Sequence, residues 1–213
     1  SLTVKLTDVV DNIYTAEATF VNNKTDYAAN SARWIRADFG DEVVPTIPYV
    51  TFSADAPQTL SMSKAVDNLE YSVNGGAWKT LGTTIVVFGG DNGDLRLRGK
   101  NSNGTALAYY NYSNIRFGNE TSVACIGDIR TLIDYENYAT ADTGNARFCN
   151  LFEDCNQLTS VPTLPATTLA DYCYSSMFFG CTSLTVAPEI PATTLAESCY
   201  AGMFAGCTNL FAV

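Results

Sequence analysis

The sequence contains no histidine, the side chain that most often serves as a general base and as a ligand of catalytic zinc. Serine and cysteine hydrolases whose triads need a histidine are therefore excluded. Catalysis by carboxylates alone stays open, but no motif in the sequence pairs two of them. We therefore expect a protein that is not an enzyme and that uses no cofactor and no metal.

Positive charge is also scarce, with 12 Lys and Arg against 22 Asp and Glu and a net charge of −10. Nucleic acids and anionic membranes are bound through basic surfaces, so neither is an expected partner. No apolar run approaches the roughly 18 residues that span a membrane. The first residues lack the apolar stretch of a secretory signal. Ser1 fits removal of an initiator methionine, and it equally fits a signal that has already been cleaved.

The strongest pattern in the sequence is a repeat with a period of 26 residues. A unit of this size cannot bury its own apolar face, so stacked neighbours must bury it, as in a solenoid. We expect the repeats to continue past Val213. The spacing holds for three sets of positions, which are Leu158, Leu184 and Leu210; Phe152, Phe178 and Phe204; and Cys155, Cys181 and Cys207.

Each repeat has two halves of different character. Pro162 and Pro165 restrict the first half to a very short strand, because proline cannot donate to a sheet ladder. In the second half apolar residues step by four, which predicts an amphipathic helix of about three turns. Gly180 and Gly206 stand where such helices end. The apolar positions are Leu169, Cys173, Met177 and Cys181 in one unit and Leu195, Cys199, Met203 and Cys207 in the next.

The string LPATTLADYCYSSMFFGC and its near-copy 26 residues later resemble the BspA-type leucine-rich repeats of gut and oral Bacteroidetes. Similar arrays occur in virion proteins of phages that infect these bacteria, including crAss-like phages. The resemblance covers roughly residues 119–213, and EYSVNGGAWKTL resembles the β-module that often precedes such arrays. The resemblance implies surface exposure and binding of host cells, matrix or glycans, and it supplies no catalytic residues.

Short strands separated by tight turns fill residues 49–118, which is typical of a small antiparallel β-sandwich. The turns are expected at residues 74–76, 91–94 and 101–104, and the one at 91–94 lacks the full ligand pattern of a calcium loop. In residues 1–48 the sequence predicts one or two strands. We expect this part of the chain to be an anchor or assembly segment. The expected fold is thus mainly β with an α/β repeat: a β-sandwich over 49–118, followed by a leucine-rich-repeat solenoid over 119–213.

Two groups of residues are candidate sites. The seven cysteines follow the repeat and lack the short spacing of zinc pairs, so we favour buried free thiols over disulfides and over a metal site. Tyr109, Tyr110 and Tyr112 could stack on sugar rings as ligand-facing aromatics. The alternative, half-buried tyrosines that brace a strand, is the one we favour from the sequence.

We predict a non-catalytic structural protein exposed on the virion of a Bacteroidetes phage, as a head fibre, capsid decoration or tail component. Its partners would be copies of itself or other virion proteins, together with polysaccharide or protein of the host surface. The alternative is an exported adhesin of the BspA type at the bacterial outer surface, binding host matrix or glycans. The repeats are compatible with both.

Overall fold

A computed structural model describes residues 2–7, 13–18, 48–141, 143–144 and 147–211, the first two stretches as backbone only. The chain divides into two compact units, Ser1–Val44 and Pro45–Val213. In the first unit, strand β1 (Leu2–Thr7) pairs antiparallel with β2 (Ile13–Ala18). The expectation of strands in the N-terminal segment is confirmed, and the rest of that segment up to residue 47, namely residues 1, 8–12 and 19–47, lies outside the described residues.

The second unit is mainly β, with several antiparallel sheets and three short 3₁₀ turns, Gly90–Asn92, Ile129–Leu132 and Tyr138–Thr140. Within the part of the chain that the structure describes, no helix is long and apolar enough to cross a membrane. The strands are β3 (Val50–Ser53), β4 (Gln58–Met62), β5 (Leu69–Val73), β6 (Lys79–Thr80), β7 (Val86–Phe88), β8 (Leu95–Gly99), β9 (Ala106–Ala108), β10 (Asn111–Tyr112), β11 (Ile115–Phe117), β12 (Val123–Ile126) and β13 (Leu158–Ser160).

Two sheets contribute to one core. The larger has the order β13-β12-β3-β8-β5-β6 and the smaller the order β11-β4-β7. Burial alternates along β8, where Leu95 and Leu97 point inward and Arg96 lies on the outer face, as a strand with one buried face requires. Phe52 of the larger sheet and Phe117 of the smaller meet edge to face, with ring centroids 6.1 Å apart.

The turns confirm the strand pattern read from the sequence. Asn74 and Gly75, between β5 and β6, have φ values of 49° and 67°. Positive φ at both central residues is the mark of the type I′ hairpin turn, which asparagine followed by glycine favours. The expected turn at residues 91–94 is also present, as the 3₁₀ turn Gly90–Asn92 followed by Gly93 with a φ of 74°.

The expected boundary between residues 118 and 119 does not separate compact units, because the sheet and the core both cross it. Strand β12, from the repeat segment, pairs with β3 of the expected sandwich, and β13 of the first repeat extends the same sheet in parallel. Phe52 lies 6.3 Å from Phe152 of the repeats. The three-residue β13 confirms that the proline-flanked half holds only a very short strand.

The helix predicted for the second half of each repeat is wrong. Residues 147–154, 171–180 and 197–206, which we call coils 1, 2 and 3, are runs of consecutive turns. In coil 2 every fourth residue has positive φ, with values of 57° at Tyr172, 52° at Ser176 and 73° at Gly180. A right-handed helix has no place for left-handed residues at regular intervals. The apolar spacing of four residues therefore reflects a four-residue turn.

Along each coil, backbone N–H groups that bond within the coil alternate with N–H groups that bond to the next coil. Odd-numbered N–H groups close turns within a coil, as the Ser175 N–H does by donating to the Tyr172 carbonyl at 3.1 Å. Even-numbered N–H groups donate to the following coil, as the Tyr174 N–H does to the Cys199 carbonyl at 3.0 Å. The even-numbered N–H groups of a coil are therefore paired only when the following coil is in place. Half of the backbone bonds of a coil therefore join it to the next.

Two columns of stacked aromatic rings run through the coils. Phe148, Tyr174 and Tyr200 form one, with centroids 6.0 Å apart at each step. The other consists of Phe152, Phe178 and Phe204, spaced 5.4 and 5.7 Å with nearly parallel planes. These are favourable separations for aromatic pairs. The 26-residue period therefore places like side chains directly over one another.

Candidate functional site

A group of three tyrosines, one exposed and two partly buried, lies where the β9–β10 hairpin meets coil 2. We call Tyr109, Tyr110 and Tyr172 the tyrosine cluster. The Tyr109 ring is 4.7 Å from that of Tyr110, edge to face, and 4.8 Å from that of Tyr172. Tyr110 is 88% exposed. Three contacting rings with one almost wholly in solvent form a platform that a ligand can reach.

The backbone on both sides fixes this cluster. Tyr109 and Tyr110 form the turn between β9 and β10, whose pairing shifts register at Asn111 and Tyr112. Tyr172 is held by the left-handed backbone of coil 2, and its hydroxyl donates to Oε1 of Glu197 at 3.0 Å. That hydrogen bond and the charge of Glu197 raise the pKa of Tyr172. The ring is thus anchored to coil 3 as well.

Tyr112, the third tyrosine of the expected ligand-facing set, takes a different position. Its ring is half-buried and packs against Ala106 and Cys149. Its hydroxyl donates to Oε2 of Glu153 at 3.2 Å, and burial, followed by the charge of Glu153, raises the pKa of Tyr112. Tyr109 and Tyr172 are partly buried on the same two residues. Of the sequence set, Tyr110 is therefore the exposed ring, Tyr109 supports it, and Tyr112 braces the hairpin on coil 1.

A polar cleft of about 240 Å³ lies on the same hairpin. Two side chains of its rim hold each other in place, because Nζ of Lys64 donates to Oδ1 of Asn111 at 3.3 Å. Amide side chains can both donate and accept, which suits a ligand with many hydroxyl groups. The side chains of its wall that can hydrogen-bond include Lys64, Asp67, Asn101, Asn103, Asn111 and Tyr112.

The chemistry available here is stacking and hydrogen bonding. Among the described residues, no three cysteine or carboxylate side chains are grouped so that they could hold a metal ion. The lining of the cleft combines one ammonium, one carboxylate and several amides, and the adjacent rings are neutral. Such a surface can bind and orient a polyol. That the protein is not an enzyme stays a prediction.

The cysteines are buried free thiols, all seven of them. In the repeats a thiol bonds to the coil before it: Sγ of Cys181 donates to the Phe152 carbonyl at 3.1 Å, and Sγ of Cys207 to the Phe178 carbonyl at 3.0 Å. Burial raises the pKa of Cys149 to about 11 and that of Cys181 to about 12. Since the thiolate is the reactive form, these groups act as core side chains.

We expect the native thiols to resist dithionitrobenzoate at about pH 8, where an exposed cysteine reacts readily. Titration with urea should release thiol reactivity in parallel with the loss of circular dichroism. A folded pKa above the ordinary 9.0 means that the neutral thiols stabilise the fold fully below pH 9.0. That contribution is then lost as the pH rises through about 11 to 12. Rapid labelling of a folded sample at the lower pH would contradict the assignment.

The repeat positions identified from the sequence lie in the core, with exceptions in the last unit. Leu169 is 5% exposed, whereas its equivalent Leu195 is 62% exposed. The cause is local: the Leu169 N–H donates to the Thr194 carbonyl at 2.9 Å, and Leu195 has no later unit over it in the described chain. Leu158, Cys155, Cys173, Met177, Phe178, Cys181, Leu184, Cys199 and Met203 are buried, Cys207 is at the margin of burial, and Phe204 and Leu210 are partly buried.

Sequence reasoning missed Tyr172 as a site residue. The sequence showed only that the same position of the next repeat, Ser198, is a small polar residue, so that the repeat itself does not require an aromatic side chain there. No protein-family model, curated protein or solved structure matches this chain. Its function is therefore inferred from the arrangement of its own residues.

Proposed function

We propose that this chain is a non-catalytic display protein whose tyrosine cluster and adjacent cleft bind host-surface polysaccharide. The observation that carries the proposal is the pairing of Tyr109 with Tyr172 at 4.8 Å, which supports an almost fully exposed Tyr110. Exposed apolar surface that is rimmed by polar groups often marks a ligand-binding site. Tyrosines supply large contact areas at low entropic cost.

The scaffold proposed for this surface is a β-sandwich followed by a leucine-rich-repeat-type solenoid. Support comes from the regular bonds between coils, such as the Phe178 N–H to the Met203 carbonyl at 3.0 Å, and from the two ring columns. Solenoids of this kind are rigid along their axis because each unit is fixed by its neighbours. Tyr172 and its anchor Glu197 belong to successive coils, so the stack itself holds the binding surface.

A sugar ligand suits the mixture of groups. The C–H face of a pyranose packs on tyrosine rings, and its hydroxyls pair with amides such as those of Asn101 and Asn103 in the cleft wall. Shape-fitting polar groups beside an apolar platform are usual in small-ligand sites. The net charge of −10 favours neutral over anionic polysaccharides, since like charges repel at long range.

The proposed location is the surface of a phage virion, where the chain serves as a head fibre, capsid decoration or tail component. The repeats fit both this location and that of an exported adhesin, and the buried free thiols favour the virion because they suit assembly in a reducing cytoplasm. Copies of the chain or other virion proteins would be its assembly partners, and many copies would raise weak sugar binding by avidity. Mass spectrometry of the native N-terminus tests the location, because a signal-cleaved start would favour the exported adhesin.

We expect Tyr110→Ala and Tyr172→Ala each to weaken polysaccharide binding by about two- to twelvefold, since one aromatic contact contributes roughly 0.5–1.5 kcal/mol. Screening on an array of bacterial surface polysaccharides, followed by calorimetry with the best one, measures the loss. Tyr138→Ala is the matched control, because Tyr138 lies in a 3₁₀ turn and belongs neither to the cluster nor to the lining of the cleft; it should bind like the wild type. Full binding by both cluster variants, or no binding by the wild type, would reject the proposed site.

A further inference from the structure

The cleft beside the tyrosine cluster has an apolar side as well as a polar one. Leu107 belongs to β9, lines the cleft and is 66% exposed. Ala65 and Val66 line the cleft as well, and Val66 packs against the core. The polar groups of the cleft therefore share it with aliphatic side chains, one of which is largely in contact with water. A ligand that covers Leu107 gains free energy by burying it.

Among the amide side chains of the cleft, that of Asn103 is left for a ligand. Nδ2 of Asn101 donates to the Asp67 carbonyl at 2.9 Å, and Oδ1 of Asn101 accepts from the Asn103 N–H at 3.0 Å. Oδ1 of Asn111 accepts from Lys64. Within the part of the chain that the structure describes, Asn103 hydrogen-bonds through its backbone alone, and it is exposed. Its carboxamide can therefore both donate to a ligand and accept from it.

The backbone holds the free amide and the exposed leucine close together. The Ala106 N–H donates to the Asn103 carbonyl at 3.4 Å, which closes a turn immediately before β9. Thr105, inside that turn, is fixed to coil 1, because its N–H and its hydroxyl both donate to the Arg147 carbonyl, at 2.8 and 3.0 Å. Asn103 therefore stands one turn before Leu107, and both residues line the same cleft.

The charge and the size of the cleft restrict its ligand. The charged side chains in its described lining are Lys64 and Asp67, one of each sign, so the lining adds no net charge. Together with the net charge of −10 on the chain, this favours an uncharged ligand over an anionic one. The volume of about 240 Å³ lies below the roughly 300–1,000 Å³ of sites for drug-sized molecules. The cleft therefore suits one sugar unit of a chain, not several.

We propose that the cleft takes an N-acetylated amino sugar, whose acetamide group contacts Asn103 and Leu107. This inference rests on the proposed function and names the class of sugar. An acetamide has an N–H, a carbonyl and a methyl group. The Asn103 carboxamide pairs with its polar groups, and the methyl group covers Leu107. A plain hexose has a hydroxyl group in that place and leaves the leucine uncovered. A deoxy sugar supplies a methyl group but no amide.

Matched pairs of monosaccharides are the probes: N-acetylglucosamine with glucose, N-acetylgalactosamine with galactose, and N-acetylmannosamine with mannose. Within each pair an acetamide replaces one hydroxyl group. With the isotope-labelled 213-residue protein, we expect at least one acetamido sugar to shift the NMR signals of the Leu107 methyl groups and the Asn103 side-chain amide. The matched hexose should bind about tenfold more weakly, because a methyl contact and an amide hydrogen bond are lost. Fucose, which has a methyl group and no amide, should bind like galactose.

Leu107→Ala and Asn103→Ala should each weaken binding of the acetamido sugar by about two- to tenfold and leave binding of the matched hexose unchanged. Ile85→Ala is the control, because Ile85 is 69% exposed and does not line the cleft. The acetamide assignment is overturned if none of the acetamido sugars moves these signals, or if affinity is equal within every pair. The proposed function is judged separately, because array polysaccharides whose binding depends on Tyr110 would still support it.

Discussion

Replacing Phe178 with alanine is expected to lower the free energy of unfolding by about 3–5 kcal/mol. The side chain is 0% exposed and lies between Phe152 and Phe204, at centroid separations of 5.4 and 5.7 Å. Truncation loses the burial of the ring and leaves a cavity in a column that the coil backbone prevents from collapsing. For a unit of this size the melting temperature should fall by about 6–20 °C.

Chemical denaturation followed by circular dichroism measures this effect, with calorimetry for the melting temperature. Phe211→Ala is the control, because that ring is 83% exposed and its removal should change stability by less than about 0.5 kcal/mol. A loss of under about 1 kcal/mol for Phe178→Ala would mean that the stacked columns do not hold the repeats together.

Gly202→Ala tests the turn structure of the coils through the sign of its effect. In the interior of a helix this change stabilises by about 1 kcal/mol. In coil 3 it should destabilise by about 1–2 kcal/mol, because Gly202 has a φ of 64° and side chains are strained there. The new Cβ would also lie 3.3 Å from Oγ of Ser176. Urea unfolding of the two proteins decides between the structures.

Ser176→Gly is the companion variant, because Ser176 already has a φ of 52°. Glycine relieves the left-handed strain there, so this change should be neutral or stabilising by up to about 1 kcal/mol. A helix predicts the reverse for both substitutions. Stabilisation by Gly202→Ala together with destabilisation by Ser176→Gly would therefore contradict the turn structure and support a helix in this segment.

The repeat period could be predicted from the sequence because identical landmarks recur at an unmistakable interval. The type of secondary structure could not, since an apolar step of four residues fits a helical face as well as a four-residue turn. A second series in the same segment held the distinction: positions 176 and 202 are serine and glycine, and 180 and 206 are both glycine. Glycine tolerates positive φ, so its recurrence at 180, 202 and 206, four or 26 residues apart, favours turns.

Two of the three tyrosines of the candidate site could be identified from the sequence. Tyr109 and Tyr110 are neighbours in the sequence, so their proximity needs no fold. Tyr172 joins them only through contact between a hairpin and a coil more than sixty positions later, and such long-range packing leaves no local pattern. Leu195 shows the same limit, because its exposure depends on whether another unit covers the last coil and not on its own position in the repeat.

In the coils, the role of each backbone N–H group depends on whether its residue number is even or odd. Even-numbered N–H groups link coils and odd-numbered ones close turns because 26 is an even number and the roles repeat in step. Inserting a single residue within a coil would exchange the two roles for all later N–H groups of that coil. The N–H groups that bond to the next coil would then point away from their acceptors. Length variation in such a protein is therefore confined to whole repeats or to the proline-flanked segments between coils. An array built this way can be lengthened by duplication without redesigning any interface.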